Sequence, residues 1–390
     1  MFKFGVVVGF DFFSEVKILS KKNINLSHNM LGCSYGNWKK LLKENKVSPE
    51  KRDQAKFISM VTFFMSFPAK LERLLYDRRI KKTEITKDPL YVVGHWRTGT
   101  TYLQNILSKD PQFAWFDPVK TVSFNNCILM KHMLKKVEKH LLKDARPMDN
   151  LDYTLDLPME EVFAQATIST QAISHMLVFP DKGNGAKFIE TAFIDEQDEE
   201  KQREWKEAYD YILKKATYIE HGKQLMLKSP ENTCRIRKLK KCYPGAKFIN
   251  IYREPYTVIQ STINMFKREM GLLSLSEPPS EEFIENTLLD LIARIYKKAF
   301  VELYEMPECD RIDIKYEDFI KDPMYYLEKI YTQLELDGFE EAKPYFEEYI
   351  KSMDGYKTNK YRPMDGSMIR KINEKLGFYF TKYGYNMRHV

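Results

Sequence analysis

The sequence has few of the features that would place it outside the soluble globular proteins. Its five cysteines are scattered through 390 residues, and it contains neither a C-x-x-C pair nor an H-E-x-x-H motif. We therefore expect no disulfide framework, no metal site and a reducing compartment. With 16 glycines and 17 prolines, the composition also excludes a collagen-like or disordered chain.

Long hydrophobic runs are also missing. The longest apolar stretch, residues 57–67, has about half of the roughly 20 residues that a membrane-spanning helix needs. Residues 1–13 are rich in Phe and Val, but Asp11 interrupts them and no small-residue cleavage site follows. The sequence thus predicts a cytoplasmic protein without a transmembrane span, and contact with a membrane surface stays open.

Positive charge is only slightly in excess of negative charge. Sixty-two Lys and Arg residues stand against 55 Asp and Glu residues, which gives a net charge of +7 with neutral histidines. This surplus suits a small anionic ligand and does not require a polyanion. We predict a small-molecule partner and no nucleic acid.

Short apolar runs separated by helical sequence characterise the chain after residue 88. Residues 90–93, 225–227, 248–252 and 312–314 each resemble a strand that is buried on both faces. Strands that alternate with helices form parallel sheets, so we predict an α/β fold with a P-loop-like central parallel sheet flanked by helices.

The remaining sequence is mostly helical. Residues 1–85 are predicted to form a helical N-terminal extension, in which a helix over residues 48–79 is broken near Pro68. Residues 86–390 would form the main domain. A helical insertion at about residues 121–220 is longer than a simple crossover and would suit a substrate-specific lid on the sheet.

The strongest motif lies at residues 94–101, with the sequence GHWRTGTT, between the first predicted strand and a helix over residues 102–108. Its glycines allow a tight turn whose backbone N–H groups, with the helix N-terminus, can bind a phosphate. The frame G-x-x-x-x-G-x-T matches a Walker A motif, but Thr100 stands where that motif has its lysine. This argues against Mg-dependent γ-phosphoryl transfer, and Arg97 supplies positive charge instead. The alternative is an ordinary strand-to-helix turn.

A second motif follows the predicted strand at residues 248–252. Arg253 and Glu254 end this strand, and the next helix carries Ser261. An arginine at the carboxyl end of a parallel strand points into the ligand crevice of such sheets, so Arg253 and Ser261 could bind one phosphate. The alternative is a surface ion pair between Arg253 and Glu254.

Together the two motifs resemble those of sulfotransferases that use 3′-phosphoadenosine 5′-phosphosulfate (PAPS), in the bacterial-type branch of that superfamily. Residues 94–101 resemble the 5′-phosphosulfate loop of this family, and Arg253 with Ser261 resembles its 3′-phosphate site at the same spacing. Four further segments are similar: residues 146–150, 227–230, 316–323 and 356–361. The resemblance covers about residues 88–387.

The resemblance implies that PAPS is the cosubstrate, that 3′-phosphoadenosine 5′-phosphate (PAP) is the product, and that no metal is needed. Arg97 would lie beside the transferring sulfo group, Tyr102 would stack on adenine, and Arg253 and Ser261 would bind the 3′-phosphate. The residues that would contact the 5′-phosphate are Thr98, Gly99, Thr100 and Thr101.

In-line sulfo transfer needs a base for the acceptor hydroxyl and cations for the charge on the departing phosphate. Asp117 falls where several relatives carry a catalytic Glu, and it is one methylene shorter. Glu160 and Glu161 are alternatives as the base, although carboxylates in the first turn of a helix also stabilise its N-terminus. His175 is a further candidate. Lys228 is a second candidate cation for the sulfonate, unless its stem is buried and only its head reaches solvent.

Aromatic and Met residues outside the two motifs indicate the acceptor. The chain has 25 Phe, 24 Tyr and 18 Met residues, several of them at residues 57–67 and 159–179, as in pockets for hydrophobic ligands. We predict sulfo transfer to a small apolar alcohol such as a sterol or steroid. The alternatives are a carbohydrate acceptor and a non-catalytic nucleotide-binding or membrane-surface protein. Residues 57–67 fit a core helix, a pocket wall or a face on a membrane surface.

Overall fold

A computed structural model of the chain describes residues 24–134, 157–180, 182–353 and 363–389. Within these residues five strands form one sheet: β1 (Leu90–Val93), β2 (Phe113–Ala114), β3 (Gln224–Leu227), β4 (Lys247–Tyr252) and β5 (Arg311–Lys315). Their pairing is parallel, in the order β2-β3-β1-β4-β5. The predicted α/β fold with a central parallel sheet is confirmed.

Helices flank the sheet and make up most of the described chain before β1. In chain order they are α1 (Tyr35–Glu44), α2 (Arg52–Lys82), α3 (Thr100–Leu107), α4 (Pro118–Val122), α5 (Glu161–Ile168), α6 (Lys182–Glu190), α7 (Glu199–Ile219), α8 (Ile236–Cys242), α9 (Pro255–Leu273), α10 (Glu281–Tyr304), α11 (Tyr316–Phe319), α12 (Pro323–Gln333), α13 (Phe339–Ser352) and α14 (Gly366–Tyr383). None of the described helices is long and apolar enough to cross a membrane. The domain boundary at residue 85 stays a prediction.

The four predicted strands are confirmed, and β1 shows why their sequences were informative. Leu90 and Val92 pack into one core cluster, Tyr91 and Val93 pack into another, and all four side chains are fully buried. A strand that is covered on both faces has a continuous apolar sequence. The edge strand β2 was not predicted, because two residues are too few to show a pattern.

The strand order creates a crevice between β1 and β4. The chain runs from β1 through α3 to β2 on one side, and from β4 through α9 and α10 to β5 on the other. The two connections diverge between β1 and β4, which pair from Leu90 with Lys247 to Val93 with Asn250. Open parallel sheets bind ligands outside the carboxyl ends of their strands at such a point. Both sequence motifs begin at these two strand ends.

Helix α2 continues through Pro68, so the predicted break at this proline is wrong. A proline in a helix interior removes one backbone hydrogen bond and costs about 3 kcal/mol. Tertiary contacts hold the helix on both sides of the proline. Trp38 Nε1–H donates to Ser59 Oγ at 2.8 Å, and the buried Glu72 carboxylate lies 2.5 Å from Lys215 Nζ of α7. These contacts offset the local cost of the proline.

Candidate active site

The loop after β1 needs glycine at two positions. Gly94 and Gly99 have φ angles of 137° and 103°, which residues with side chains rarely adopt. A Cβ on Gly94 would lie 2.5 Å from the carbonyl oxygen of Ile251 in β4, and a Cβ on Gly99 would clash with the ring of Tyr316. The loop is therefore packed closely against the ends of β4 and β5.

The same loop presents backbone N–H groups at the start of α3. Among the described residues, the amides of Gly99, Thr100 and Thr101 have no hydrogen-bond acceptor. Thr98 stabilises the turn from inside, because its amide and its hydroxyl both donate to the carbonyl of His95, at 3.3 and 2.9 Å. Unpaired N–H groups at a helix N-terminus bind anions, so the loop fits a phosphate or phosphosulfate group.

The two sequence motifs meet through Arg97, Arg253 and Ser261. Arg97 has a positive φ of 74°, and its Nε–H donates to Ser261 Oγ at 3.0 Å. Arg253 Nη1–H donates to the carbonyl of Arg97 at 3.3 Å, and its guanidinium lies 4.1 Å from the centre of the Tyr316 ring. The structure thus brings together the two segments that sequence reasoning assigned to the 5′- and 3′-phosphates.

Two aromatic residues lie beside the loop that follows β1. Tyr102, in the first turn of α3, is partly buried beside Phe319, with ring centroids 5.7 Å apart. Tyr316 directly follows β5 and lies between Gly99 and the Arg253 guanidinium. Sequence reasoning gave Tyr316 no role of its own. Its position after a predicted strand was the available signal, because residues there converge on the ligand crevice.

Glu254, the alternative ion-pair partner of Arg253, is engaged elsewhere. Its Oε2 accepts the N–H of Thr257 at 2.8 Å and caps α9, while its Oε1 lies 3.4 Å from the Arg388 guanidinium. Its own N–H donates to Glu317 Oε1 at 2.9 Å. These contacts fix the chain direction immediately after Arg253.

A lysine–glutamate pair lies at the carboxyl end of β3, beside β1. Lys228 Nζ is 2.6 Å from Glu160 Oε1, and the two side chains are 5% and 18% exposed. The Lys228 head is therefore buried rather than extended into solvent, and its partner carboxylate is accessible. A carboxylate in this position can accept a proton from a hydroxyl, and the adjacent ammonium can stabilise negative charge.

Glu161 points the opposite way and is fully enclosed. Its Oε1 accepts hydrogen bonds from Asn232 at 2.5 Å and from the Tyr209 hydroxyl at 3.1 Å, and its Oε2 accepts one from Ser229 at 2.8 Å. Burial raises the pKa of Glu161, and the three donors oppose that shift. Because Glu161 has no exposed surface, its geometry is that of a residue that positions the segment after Lys228.

Asp117 caps the short helix α4. Its Oδ1 accepts the N–H of Lys120 at 2.8 Å, and its Oδ2 lies 3.4 Å from the Lys120 ammonium, which also pairs with Glu220. The preceding residue, Phe116, accepts the N–H of Met159 at 2.6 Å, which joins this segment to the start of α5. Asp117 follows β2, one strand farther from the loop after β1 than the lysine–glutamate pair.

His175 is enclosed in the core. Its Nε2–H donates to the carbonyl of Ser169 at 3.1 Å, and its ring packs against Phe188 with centroids 5.5 Å apart. Burial lowers the pKa of His175 to about 4, so the imidazole is neutral at physiological pH. This geometry fits a core histidine.

Glu231 is a buried acid that sequence reasoning missed. Its side chain is 3% exposed, and its Oε2 has no hydrogen-bond partner among the described residues. Burial raises the pKa of Glu231 to about 8, and the nearby negative charge of Glu160 adds to this shift. A protonated carboxyl therefore lies near Glu160 at neutral pH. The only sequence signal was its place three residues after Lys228.

We expect Glu231→Gln to remove a pH dependence of stability. The ordinary pKa of glutamate is 4.5, so between pH 4.5 and 8 the unfolded chain releases a proton that the folded chain keeps. The free energy of unfolding therefore falls with rising pH, by at most about 1.4 kcal/mol per pH unit. Urea unfolding across this range should show a flatter profile for the variant and greater stability at pH 8. An equally steep profile would contradict the raised pKa, and Glu340→Gln on the surface is the control.

Two of the segments that resemble the family, residues 146–150 and 356–361, lie outside the described residues. Within the part of the chain that the structure describes, no group of three or more His, Cys, Asp or Glu side chains is placed to hold a metal ion. All five cysteines are free thiols.

Comparison with known proteins gives a consistent result. The model of the sulfotransferase family matches residues 89–341. A curated relative in Mycobacterium bovis and Mycobacterium tuberculosis is the omega-hydroxy-beta-dihydromenaquinone-9 sulfotransferase Stf3. It is 28% identical over 364 residues, which cover 92% of this chain and 92% of the relative.

Two solved structures share the fold. Sulfotransferase STF9 from Mycobacterium avium has a TM-score of 0.70 at 15% identity and covers 99% of this chain and 100% of its own. Sulfotransferase STF1 from Mycobacterium tuberculosis has a TM-score of 0.61 at 16% identity, with 93% and 98% covered. The family match includes all five described strands and both sequence motifs. This chain belongs to the sulfotransferase family, as its motifs indicated.

Proposed function

We propose that this sulfotransferase uses PAPS as donor and acts on the hydroxyl group of a lipid-like alcohol. The observation that supports the donor is the junction of Arg97, Arg253 and Ser261 at the crevice between β1 and β4. One phosphate needs only the loop amides, whereas two cations beside them suit a nucleotide with a second, separate phosphate. PAPS has this 3′-phosphate and ATP lacks it.

Residues that follow different strands would bind different parts of the donor. The amides of Gly99, Thr100 and Thr101 would hold the 5′-phosphosulfate, with Arg97 beside it, and Arg253 with Ser261 would hold the 3′-phosphate. When bound, PAPS supplies the sulfo group that is transferred. Tyr316 orients the Arg253 guanidinium through the contact of cation and ring.

We assign proton transfer to Glu160 and charge stabilisation to Lys228. Glu160 is a partly exposed carboxylate that pairs with Lys228 at the end of β3, the strand next to β1, and it would accept the proton of the acceptor hydroxyl. Lys228 would stabilise the charge that develops on the transferring group. Asp117 is the alternative base, and the Discussion gives the comparison that separates the two.

The acceptor class rests on the curated relative. Its name specifies a hydroxylated menaquinone, which is an alcohol on a long apolar lipid, and the alignment covers 92% of both chains. The apolar character predicted from the sequence is consistent with such an acceptor, and the name of this relative does not support a steroid. We therefore propose a hydroxylated isoprenoid quinone or a similar lipid alcohol. Supplying labelled PAPS with menaquinone alcohols, steroids and oligosaccharides tests this, and turnover confined to oligosaccharides would overturn it.

We expect Arg253→Ala to weaken PAP binding by about tenfold or more. A hydrogen bond to a charged group contributes roughly 1.5 to 3 kcal/mol, which corresponds to a factor of roughly 10 to 150 in affinity. Isothermal titration calorimetry should also show that the parent protein prefers PAP over ADP. Arg268→Ala, at an exposed position of α9, the helix that follows Arg253, is the matched control. Unchanged PAP affinity in a folded Arg253→Ala protein would remove Arg253 from the donor site.

A further inference from the structure

Helix α2 exposes a row of large apolar side chains. Six of them lie between 43% and 82% exposed: Phe63, Phe64, Phe67, Leu71, Leu74 and Leu75. Their spacing of three or four residues places them along one side of the helix, and Met60 extends the row by one turn. We refer to this side as the apolar face of α2.

Packing among the described residues does not account for this face. Other parts of α2 are already used by the core, with Phe57, Ile58, Thr62 and Ile80 buried. Single exposed apolar residues are common on soluble proteins, but a contiguous row of phenylalanines and leucines over four turns marks an interaction surface. The apolar face is therefore available for a partner outside the described residues.

The charges on α2 indicate what kind of partner this is. Basic residues flank the apolar face: Lys56 before it, Lys70 at its side, and Arg78, Lys81 and Lys82 after it, all exposed. These cations are complementary to an anionic surface.

The carboxylates of the same helix are engaged away from this face or at its ends. Glu72 is buried against Lys215, and Asp77 accepts from the Tyr211 hydroxyl at 2.8 Å. Asp53, at the start of the helix, is 3.7 Å from Lys56. From the start of the row to Leu75, this fully described helix therefore exposes apolar groups and cations without an exposed carboxylate.

A neighbouring segment has the same character. The amides of Ile128 and Leu129 donate to Glu72 Oε2 at 3.0 and 2.7 Å, which holds this segment beside α2. Leu129 and Met133 are 37% and 45% exposed. Lys131 in the same segment is also exposed. The apolar and basic surface therefore extends beyond α2 to the described residues 128–133.

We propose that the apolar face of α2 docks on the surface of an anionic phospholipid bilayer. The phenylalanine and leucine side chains would enter the boundary between headgroups and acyl chains, and the flanking cations would contact the anionic headgroups. A second copy of this chain is a poorer occupant, because it would bring the same cations together. The helix lies on the membrane in this arrangement and does not cross it.

Vesicle sedimentation tests the proposal with the full chain and no substrate. Vesicles of phosphatidylcholine with one-third phosphatidylglycerol should bind the protein at least tenfold more tightly than vesicles of phosphatidylcholine alone. Binding to the anionic vesicles should weaken as NaCl is raised from 0.05 to 0.5 M, because salt screens the attraction between the cations and the headgroups. The Debye length falls from about 14 to 4 Å over this range. Failure to bind anionic vesicles would overturn the proposal.

The double variant Phe64→Asp/Leu74→Asp tests the face itself. Each position is more than half exposed, so the fold should persist, as circular dichroism would check. Losing two apolar side chains that would be buried in the membrane should lower the partition coefficient by about 100-fold or more. The control is Val301→Asp/Ile320→Asp, at positions 56% and 47% exposed, which should bind within about twofold of the parent protein.

Two results of this comparison would overturn the proposal. One is equal vesicle binding by the Phe64→Asp/Leu74→Asp protein and its parent. The other is a stable dimer of the parent protein in sedimentation equilibrium that the same double variant dissociates, because a second copy would then cover the face. Vesicle binding needs neither PAPS nor an acceptor, so its failure is separate from a failure of the proposed sulfo transfer.

Discussion

Replacing Glu160 by glutamine should lower turnover by a factor of about 10² to 10⁴ and leave PAP affinity nearly unchanged. Glutamine keeps the shape of the side chain, and its amide oxygen can still accept the Lys228 hydrogen bond that the carboxylate accepts at 2.6 Å. It cannot accept a proton from the acceptor hydroxyl. Single-turnover measurement of PAP release at saturating PAPS separates this chemical step from binding.

Asp117→Asn is the matched comparison for this experiment. Asparagine caps helices about as well as aspartate, so the variant should keep the Lys120 amide bond and its stability. Its turnover should stay within a few-fold of the parent protein if Glu160 is the base. A large loss in Asp117→Asn together with normal turnover in Glu160→Gln would move the role to Asp117.

Replacing Lys215 by methionine should destabilise the protein by about 3 to 5 kcal/mol. Lys215 and Glu72 form an ion pair at 2.5 Å in which each side chain is only 2% exposed, and the ammonium also donates to the carbonyl of Phe124 at 2.5 Å. Without the lysine, the Glu72 carboxylate is left buried and without its counter-charge. Urea unfolding at pH 7 measures the loss.

The double variant Glu72→Gln/Lys215→Met should recover part of this loss, because it no longer buries an unpaired charge. The exposed pair of Lys187 and Glu44 provides the control, and Lys187→Met should change the free energy of unfolding by less than about 1 kcal/mol. A loss below 1 kcal/mol in Lys215→Met, or no recovery in the double variant, would contradict the assigned energetics of the buried pair.

Local patterns explain which parts of the protein could be predicted from the sequence. The buried strands and the tight turn after β1 were predictable because a run such as residues 90–93, followed by two glycines in a turn, carries its signal within a few neighbours. The pairing of Lys228 with Glu160 joins positions 68 residues apart, and no local pattern specifies it. Recognising this pair therefore required the tertiary structure.

The neighbours Glu160 and Glu161 show the same limit at closer range. Both are acids at the start of one helix, so sequence reasoning could not distinguish them. Glu160 is the cap residue before α5 and has an extended backbone, whereas Glu161 is the first residue of the helix, so Glu161 can be enclosed by Asn232 and Ser229 while Glu160 stays partly exposed. Which of the two faces inward depends on the packing of α5 against the segment after β3.

Residues 57–67 illustrate a different reason. The segment is apolar on most sides, and that composition fits both a core helix and an exposed face. The structure divides it, with Phe57 and Ile58 buried and Phe63, Phe64 and Phe67 exposed. Hydrophobicity alone cannot indicate which side of a helix the rest of the protein covers.

The packing of Gly99 against Tyr316 has a consequence for protein engineering. The φ angle of Gly99 would strain any other residue even if the ring of Tyr316 were removed, so enlarging the space cannot release this glycine. The Tyr316 ring therefore depends on Gly99 for its space, whereas the need for glycine at position 99 does not depend on Tyr316. Libraries that aim to change donor preference should vary Tyr316, whose ring also supports Arg253, and should keep Gly99 fixed.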